Sequence, residues 1–120
     1  MLTSSAKSKG RRLQQAVREK LLAQPYAMDT ANERALQPGD VRVAIMGESG
    51  LDIKLSPWAE EVVPLDIECK NVEIASPWAW MKQAKANTRE GRMPAVCFTR
   101  NRENDIYVMM RLDDVLKLLR

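Results

Sequence analysis

The stretch that decides the fold is Leu65-Asp66-Ile67-Glu68-Cys69-Lys70. Alternate side chains of a strand share a face. Read as a strand, this segment sets Asp66, Glu68 and Lys70 on one side and Ile67 and Cys69 on the other. Upstream, Gly50-Leu51-Asp52-Ile53 enters another strand, Leu51 to Leu55, and contributes a further carboxylate, Asp52. A carboxylate beside an ammonium, joined by a second carboxylate from a neighbouring strand, is a donor set for a divalent cation next to a fixed positive charge. Such a set suits hydrolysis of phosphodiesters.

Outward from that core the punctuation is legible. Ser76-Pro77 supplies an N-cap serine and a first-turn proline, predicting a helix from Ser76 to about Glu90 with Gly91 as its stop. The same tetrapeptide, Ser-Pro-Trp-Ala, occurs at Ser56–Ala59, where it predicts a brief helical turn closed by Pro64. Its flanks do not match, so it is not an internal repeat. Ala95 to Thr99 reads as a buried strand, Asn101 to Asn104 as a polar turn, and Ile106 to Met110 as a last strand. Asp113 or Asp114 then begins a helix through Val115, Leu116, Leu118 and Leu119.

Towards the N-terminus, residues 1–8 read as a flexible tail. Leu13, Ala16, Val17 and Leu21 recur at helical spacing between Lys9 and Ala23, and Pro25 ends the pattern. Thr30 and Glu33 have capping-box spacing for a short second helix. Gln37 to Asp40 is a turn, Val41 to Met46 alternates as a strand, and Gly47 to Gly50 is a second turn. The order predicts one α/β domain over residues 9–120, with a central mixed sheet of about five strands flanked by helices.

Composition narrows the chemistry. A chain of 120 residues buries about two thirds of its unfolded surface, enough for a core without staples. Its net charge of +3 permits nucleic-acid binding without demanding it. There is no histidine, which excludes His-ligated zinc, a Ser-His-Asp triad and His-based proton transfer. Cys69 and Cys97 lack metal-type spacing and a secretion signal, so they read as reduced thiols of a cytoplasmic protein. No apolar run approaches the roughly 20 residues of a membrane span. Gly47 to Gly50 lacks the Lys-Ser/Thr ending of a P-loop, so no nucleotide cofactor is expected.

Glu-x-Lys alone is most often an ion-paired strand surface. The Gly-x-Asp-Ile strand before it and a helix bearing Gln83 after it shift the balance towards a site. A magnesium-type ion keeps several waters, so two carboxylates and a backbone carbonyl suffice as protein ligands. Lys70 would orient water or stabilise charge developing on the phosphate. Trp58, Trp78 and Trp80 either pack on the sheet, the commoner use, or stack on bases. Lys7, Lys9, Arg11 and Arg12 either contact phosphates or form a solvated tail and helix face. Lys82, Lys85, Arg89 and Arg92 add positive charge around the other helix, and Ser49 is a candidate phosphate contact.

The succession Gly50-Leu51-Asp52-Ile53, Ile67-Glu68-Cys69-Lys70, then a helix with Trp80 and Gln83, resembles the PD-(D/E)XK nuclease superfamily. Within it, the chain is similar to small Holliday-junction-resolvase-like nucleases of phages and archaea, over roughly Lys9 to Leu119. The resemblance implies a restriction-endonuclease-like core. It further implies Mg2+ or Mn2+ on Asp52, Glu68 and the Cys69 carbonyl, a catalytic Lys70, and Gln83 supporting the site or the scissile strand. In the archaeal resolvases a glutamate follows Lys-Gly by four positions. After Lys9-Gly10 that position is Gln14, a departure, and Glu19 one further turn along is the substitute.

The leading expectation is a magnesium-dependent endonuclease acting on branched DNA as a homodimer, because two symmetric cuts suit a two-fold pair of sites. Two others stand beside it: a general phage nuclease that nicks or trims linear duplex or flapped DNA in the bacterial cytoplasm, and a catalytically silent DNA-binding module of the same fold.

Overall fold

A computed structural model describes residues 4–26 and 34–120. Its order is α1 (Ser4–Ala23), a 3-10 turn (Pro38–Asp40), β1 (Val41–Val43), β2 (Ile53–Leu55), α2 (Pro57–Val62), β3 (Leu65–Asn71), α3 (Pro77–Asn87), β4 (Met93–Thr99), β5 (Tyr107–Met110) and α4 (Leu112–Leu118). The expected helix start at Thr30 lies outside the described residues.

The centre is a three-stranded sheet in the order β3-β4-β5. β3 and β4 are parallel, with Glu68 opposite Val96 and Cys69 opposite Cys97. Parallel neighbours need a crossover, and α3 supplies it. β5 returns antiparallel to β4, with Val96 opposite Met109. Strand periodicity then divides the core. Ile67 and Ala95 face α1, packing with Leu13 and Val17 and the half-buried Cys69 and Cys97. Val96 faces α3, where it meets Trp80 and Ala84, with Phe98 and Met109 at the margin. Fully buried Ala84 lets α3 lie close to the sheet.

The expected five-stranded sheet is instead two sheets, because β1 and β2 form a separate antiparallel pair. The hairpin reaches the open edge of β3 through a side chain just before β2: Asp52 Oδ2 accepts the Cys69 N–H at 2.7 Å. A carboxylate thus sits where a neighbouring strand's carbonyl would continue the ladder. β1 also stops at Val43, short of the expected Met46, and Ile45 and Met46 are exposed in the connection to β2. Gly47 and Gly50 adopt φ of 84° and 88° there, a left-handed geometry suited to glycine. Glu48 shapes the turn by pairing with Arg42 and accepting from the Ile45 N–H.

Helix ends show the remaining differences. α1 begins at Ser4, five residues before the expected Lys9. Ser56 caps α2, accepting from the Ala59 N–H at 3.1 Å, whereas Ser76 makes no side-chain cap hydrogen bond. α3 ends at Asn87 rather than Glu90, and Gly91 is not its stop. Thr88 turns extended, its hydroxyl donating to the Ala84 carbonyl, so that the Arg89 N–H donates to buried Asp66. α4 starts at Leu112, with Asp113 and Asp114 in its first turn. Among the described residues no helix is long and apolar enough to cross a membrane.

Candidate functional site

The site follows from how α3 lies antiparallel against β3. Two strand residues advance about 6.6 Å, and four helix residues advance about 6.0 Å. A step of two on β3 therefore matches a step of four on α3. Lys70 Nζ donates to Gln83 Oε1 at 2.7 Å, and one step on, Asn87 Nδ2 donates to Glu68 Oε1 at 2.8 Å. Beyond Asn87 the chain is extended, so a step of two brings Arg89 to Asp66, with Nη2 donating to Oδ1 at 2.8 Å. Three polar rungs join the strand face to the crossover.

The rungs are chemically unequal. Asp66 is 1% exposed and takes hydrogen bonds from Arg89 and from Arg92 Nε, the latter at 2.7 Å. Burial pushes its carboxyl up, but the bonds from Arg89 and Arg92 outweigh it and hold the pKa below the usual range. Arg89 also pairs with Glu60, and Arg92 donates to the Glu60, Val63 and Leu65 carbonyls. These two arginines, expected to add positive charge after the helix, thus spend it on Asp66, Glu60 and backbone carbonyls.

Glu68, two residues along, is 2% exposed and has no arginine. Its pKa is raised to about 7, by burial first and further by the nearby Asp52 carboxylate, against the opposing Asn87 hydrogen bond and the Lys70 charge. Asp52 is held by the Cys69 N–H. The N–H and C=O of one strand residue point to the same edge, so the Cys69 carbonyl lies on the edge that Asp52 occupies.

A cleft of about 480 Å³ gathers the site. Asp52, Glu68, Cys69, Lys70 and Gln83 line it, as do Lys7, Gly10, Arg11 and Gln14 of α1. Asp52 just before β2, Glu68 to Lys70 of β3, Gln83 of α3, and Lys7, Arg11 and Gln14 of α1 thus share one cavity. Glu19 does not belong to it: it is exposed, ion-paired with Arg18, and absent from the lining. Of the two first-helix candidates for a metal ligand, it is Gln14, an amide, that lines the cleft.

The predicted phosphate contacts divide. Lys7 and Arg11 line the cleft, and Arg12 borders a shallow hollow beside it with Ser8, Arg11 and Gln15. Lys9 is withdrawn, its ammonium 3.5 Å from Glu73. Ser49 is exposed on the hairpin connection, and its carbonyl accepts from Lys54 Nζ. Lys82 and Lys85 are exposed on α3. Arg18 serves the fold by donating to the Pro38 and Val41 carbonyls.

Two site residues escape sequence reasoning. Asn87 was findable in principle, being one helical turn after Gln83. Asn71 carried no signal: its amide nitrogen donates to the Lys9 carbonyl, and its Oδ1 is a buried acceptor with no partner in the described structure. It also lines the cleft, as an acceptor available to water or to a ligand's donor.

The donors fit a hard divalent cation: two carboxylates and a strand-edge carbonyl, with Glu68 lacking any cationic partner within hydrogen-bond reach. No group of three or more His, Cys, Asp or Glu side chains among the described residues is placed to hold a metal. The protein would thus supply few ligands and leave the rest to water and substrate. No protein-family model, curated protein or solved structure matches the chain.

Proposed function

We propose that this protein is a cytoplasmic magnesium-dependent endodeoxyribonuclease of the PD-(D/E)XK type, acting on branched DNA as a homodimer in the manner of a Holliday junction resolvase. The observation that carries the reading is the convergence of Asp52, Glu68 and the Lys70–Gln83 pair in one cleft, with Lys7 and Arg11 in its wall. Asp52, Glu68 and the Cys69 carbonyl would hold Mg2+ or Mn2+. The ion would supply Lewis acidity towards a phosphate oxygen and a lowered pKa for bound water.

The chain's own groups have separate duties. Gln83 keeps the Lys70 ammonium aimed along the strand face, where it orients the attacking water or stabilises charge on the phosphate. Asn87 holds Glu68 in place without neutralising it. Lys7 and Arg11 attract the phosphate backbone irrespective of sequence.

Three substitutions and one substrate panel test this. Asp52→Asn, Glu68→Gln and Lys70→Ala should each lower cutting at least about a thousandfold, the loss typical of removing a principal catalytic group, while DNA affinity stays within a few-fold. The panel comprises four-way junction, flap, plain duplex and single strand with Mg2+, and preferential junction cutting is expected. Equal cutting of duplex and junction would replace the resolvase with a general nickase, flap or duplex nuclease. Binding without cutting on every member would leave a silent DNA-binding module, the reading that Gln14 favours.

A further inference from the structure

The last helix carries its apolar side outward. Leu112, Val115, Leu116 and Leu119 stand at i, i+3, i+4 and i+7, the spacing that normally turns one helix face to a core. At 3.6 residues per turn they share a sector of about 100°. All four are exposed, from 36% at Val115 to 75% at Leu119. The residue that α4 buries is instead Asp114, 2% exposed, which accepts from Arg111 Nε at 2.9 Å. It lies about 150° round the helix from the middle of the stripe. A helix of seven residues is marginal in water unless its apolar face is packed. α4 is therefore built for a contact that the described residues of one chain do not make.

The stripe itself indicates what makes that contact. Leu112 and Leu119 form its outer pair and Val115 and Leu116 its inner pair, so its spacing reads the same from either end. Laid antiparallel on a second copy, Leu112 meets Leu119 and Val115 meets Leu116, and every apolar side chain finds another. Charge agrees with this direction. The last turn continues past α4, since the Arg120 N–H donates to the Lys117 carbonyl, and helical spacing then sets Asp113 and Arg120 on one flank of the stripe at opposite ends. Both are exposed, and neither makes an ion pair among the described residues. Reversal brings Asp113 of each copy beside Arg120 of the other, twice about one two-fold axis. A parallel pairing would instead set Asp113 against Asp113. The stripe offers a few hundred Å², the size that marks an association site and less than the roughly 800 Å² each partner gives a standard interface. Leu118 enlarges it on the other flank, where it lines an apolar hollow with Ile106 and Val108.

We propose that α4 is the self-association face of this protein: two copies pair their last helices antiparallel across a two-fold axis, with the leucine stripe at the centre and two Asp113–Arg120 pairs at the margins. The inference rests on the homodimer of the reading above and names the surface that forms it; it asks nothing of the chemistry in the cleft.

The test is sedimentation of the full chain from micromolar to near-millimolar concentration, where the unsubstituted protein should pass from monomer to dimer. Leu116→Asp puts an unpaired charge at the centre of the face and should weaken association at least about tenfold. Asp113→Arg and Arg120→Asp should each weaken it about fivefold, because each removes two symmetric ion pairs. The double variant Asp113→Arg with Arg120→Asp should regain most of the loss. Both changes set charge against the helix dipole, so that recovery comes from the contact between copies and not from a firmer helix. All three positions are exposed, and circular dichroism checks that the variants keep the fold. A dimer indifferent to Leu116→Asp, or a double variant that associates no better than the single ones, overturns the α4 pairing and leaves the homodimer reading standing. A protein that stays monomeric throughout overturns the pairing and the homodimer together, and DNA cutting by that monomer would still uphold the nuclease.

Discussion

Asp66 and Glu68 sit two residues apart on one face of one strand, both almost wholly buried, yet the fold treats them in opposite ways. Asp66 is enclosed by two guanidinium groups and the backbone N–H of Arg89 at the exit of α3, and its acidity is increased. Glu68 receives one neutral amide and faces another carboxylate, and its acidity is reduced. Burial cannot explain the difference, because burial is shared. The counter-charge does. A buried carboxylate given two arginines fastens the crossover to the sheet. A buried carboxylate denied them is a cost that function must justify.

The largest effect that sharpens this contrast is an isosteric change made at each position. Asp66→Asn should destabilise the protein by about 3 kcal/mol, since it leaves Arg92 buried without its anion. Glu68→Gln at pH 7.5 should be neutral or stabilising, because it removes a charge the site does not compensate. Urea unfolding of both variants measures this, and two losses of similar size would break the comparison.

Next in size is the pH response. Folded Glu68 holds its proton more tightly than in the unfolded chain, so its contribution is complete below about pH 4.5 and is lost as pH rises through about 7. Without divalent metal, stability should fall by about 3 kcal/mol across that window. Glu68→Gln should remove the fall, and Mg2+ should reduce it. Asp66 acts in the opposite sense: its lowered pKa makes its contribution disappear as pH drops into the acid range.

The smallest effect is expected at Asn87. Asn87→Ala deletes one neutral hydrogen bond to a carboxylate and should cost about 1 kcal/mol. Because that bond lowers the Glu68 pKa, its loss should move the acid limb of the pH–rate profile to higher pH. An unmoved limb would mean that Asn87 acts only in the fold.

Much of the candidate site's arrangement was legible because its spacing is short-range. Alternation alone put Glu68 and Lys70 on one face, and the helix bearing Gln83 followed directly. What stayed hidden depended on the return of the crossover. Arg89 and Arg92 look like exposed basic charge until the chain leaves α3 and brings them back onto Asp66. The alternation through Ile45 and Met46 imitated a strand, but the Arg42–Glu48 pair and the flanking glycines turn the hairpin earlier. The five-stranded sheet failed for a similar reason: counting strands cannot reveal that one junction is made by a side chain.

That junction has a consequence for the protein's mechanics. The hairpin is riveted to the central sheet by the Asp52 carboxylate, a group also assigned to the reaction. A substitution at residue 52 is therefore felt twice, as missing chemistry and as a loosened seam. Under the proposed function, slackness in the hairpin likewise reaches the reacting groups without any intermediary, because the rivet is one of them.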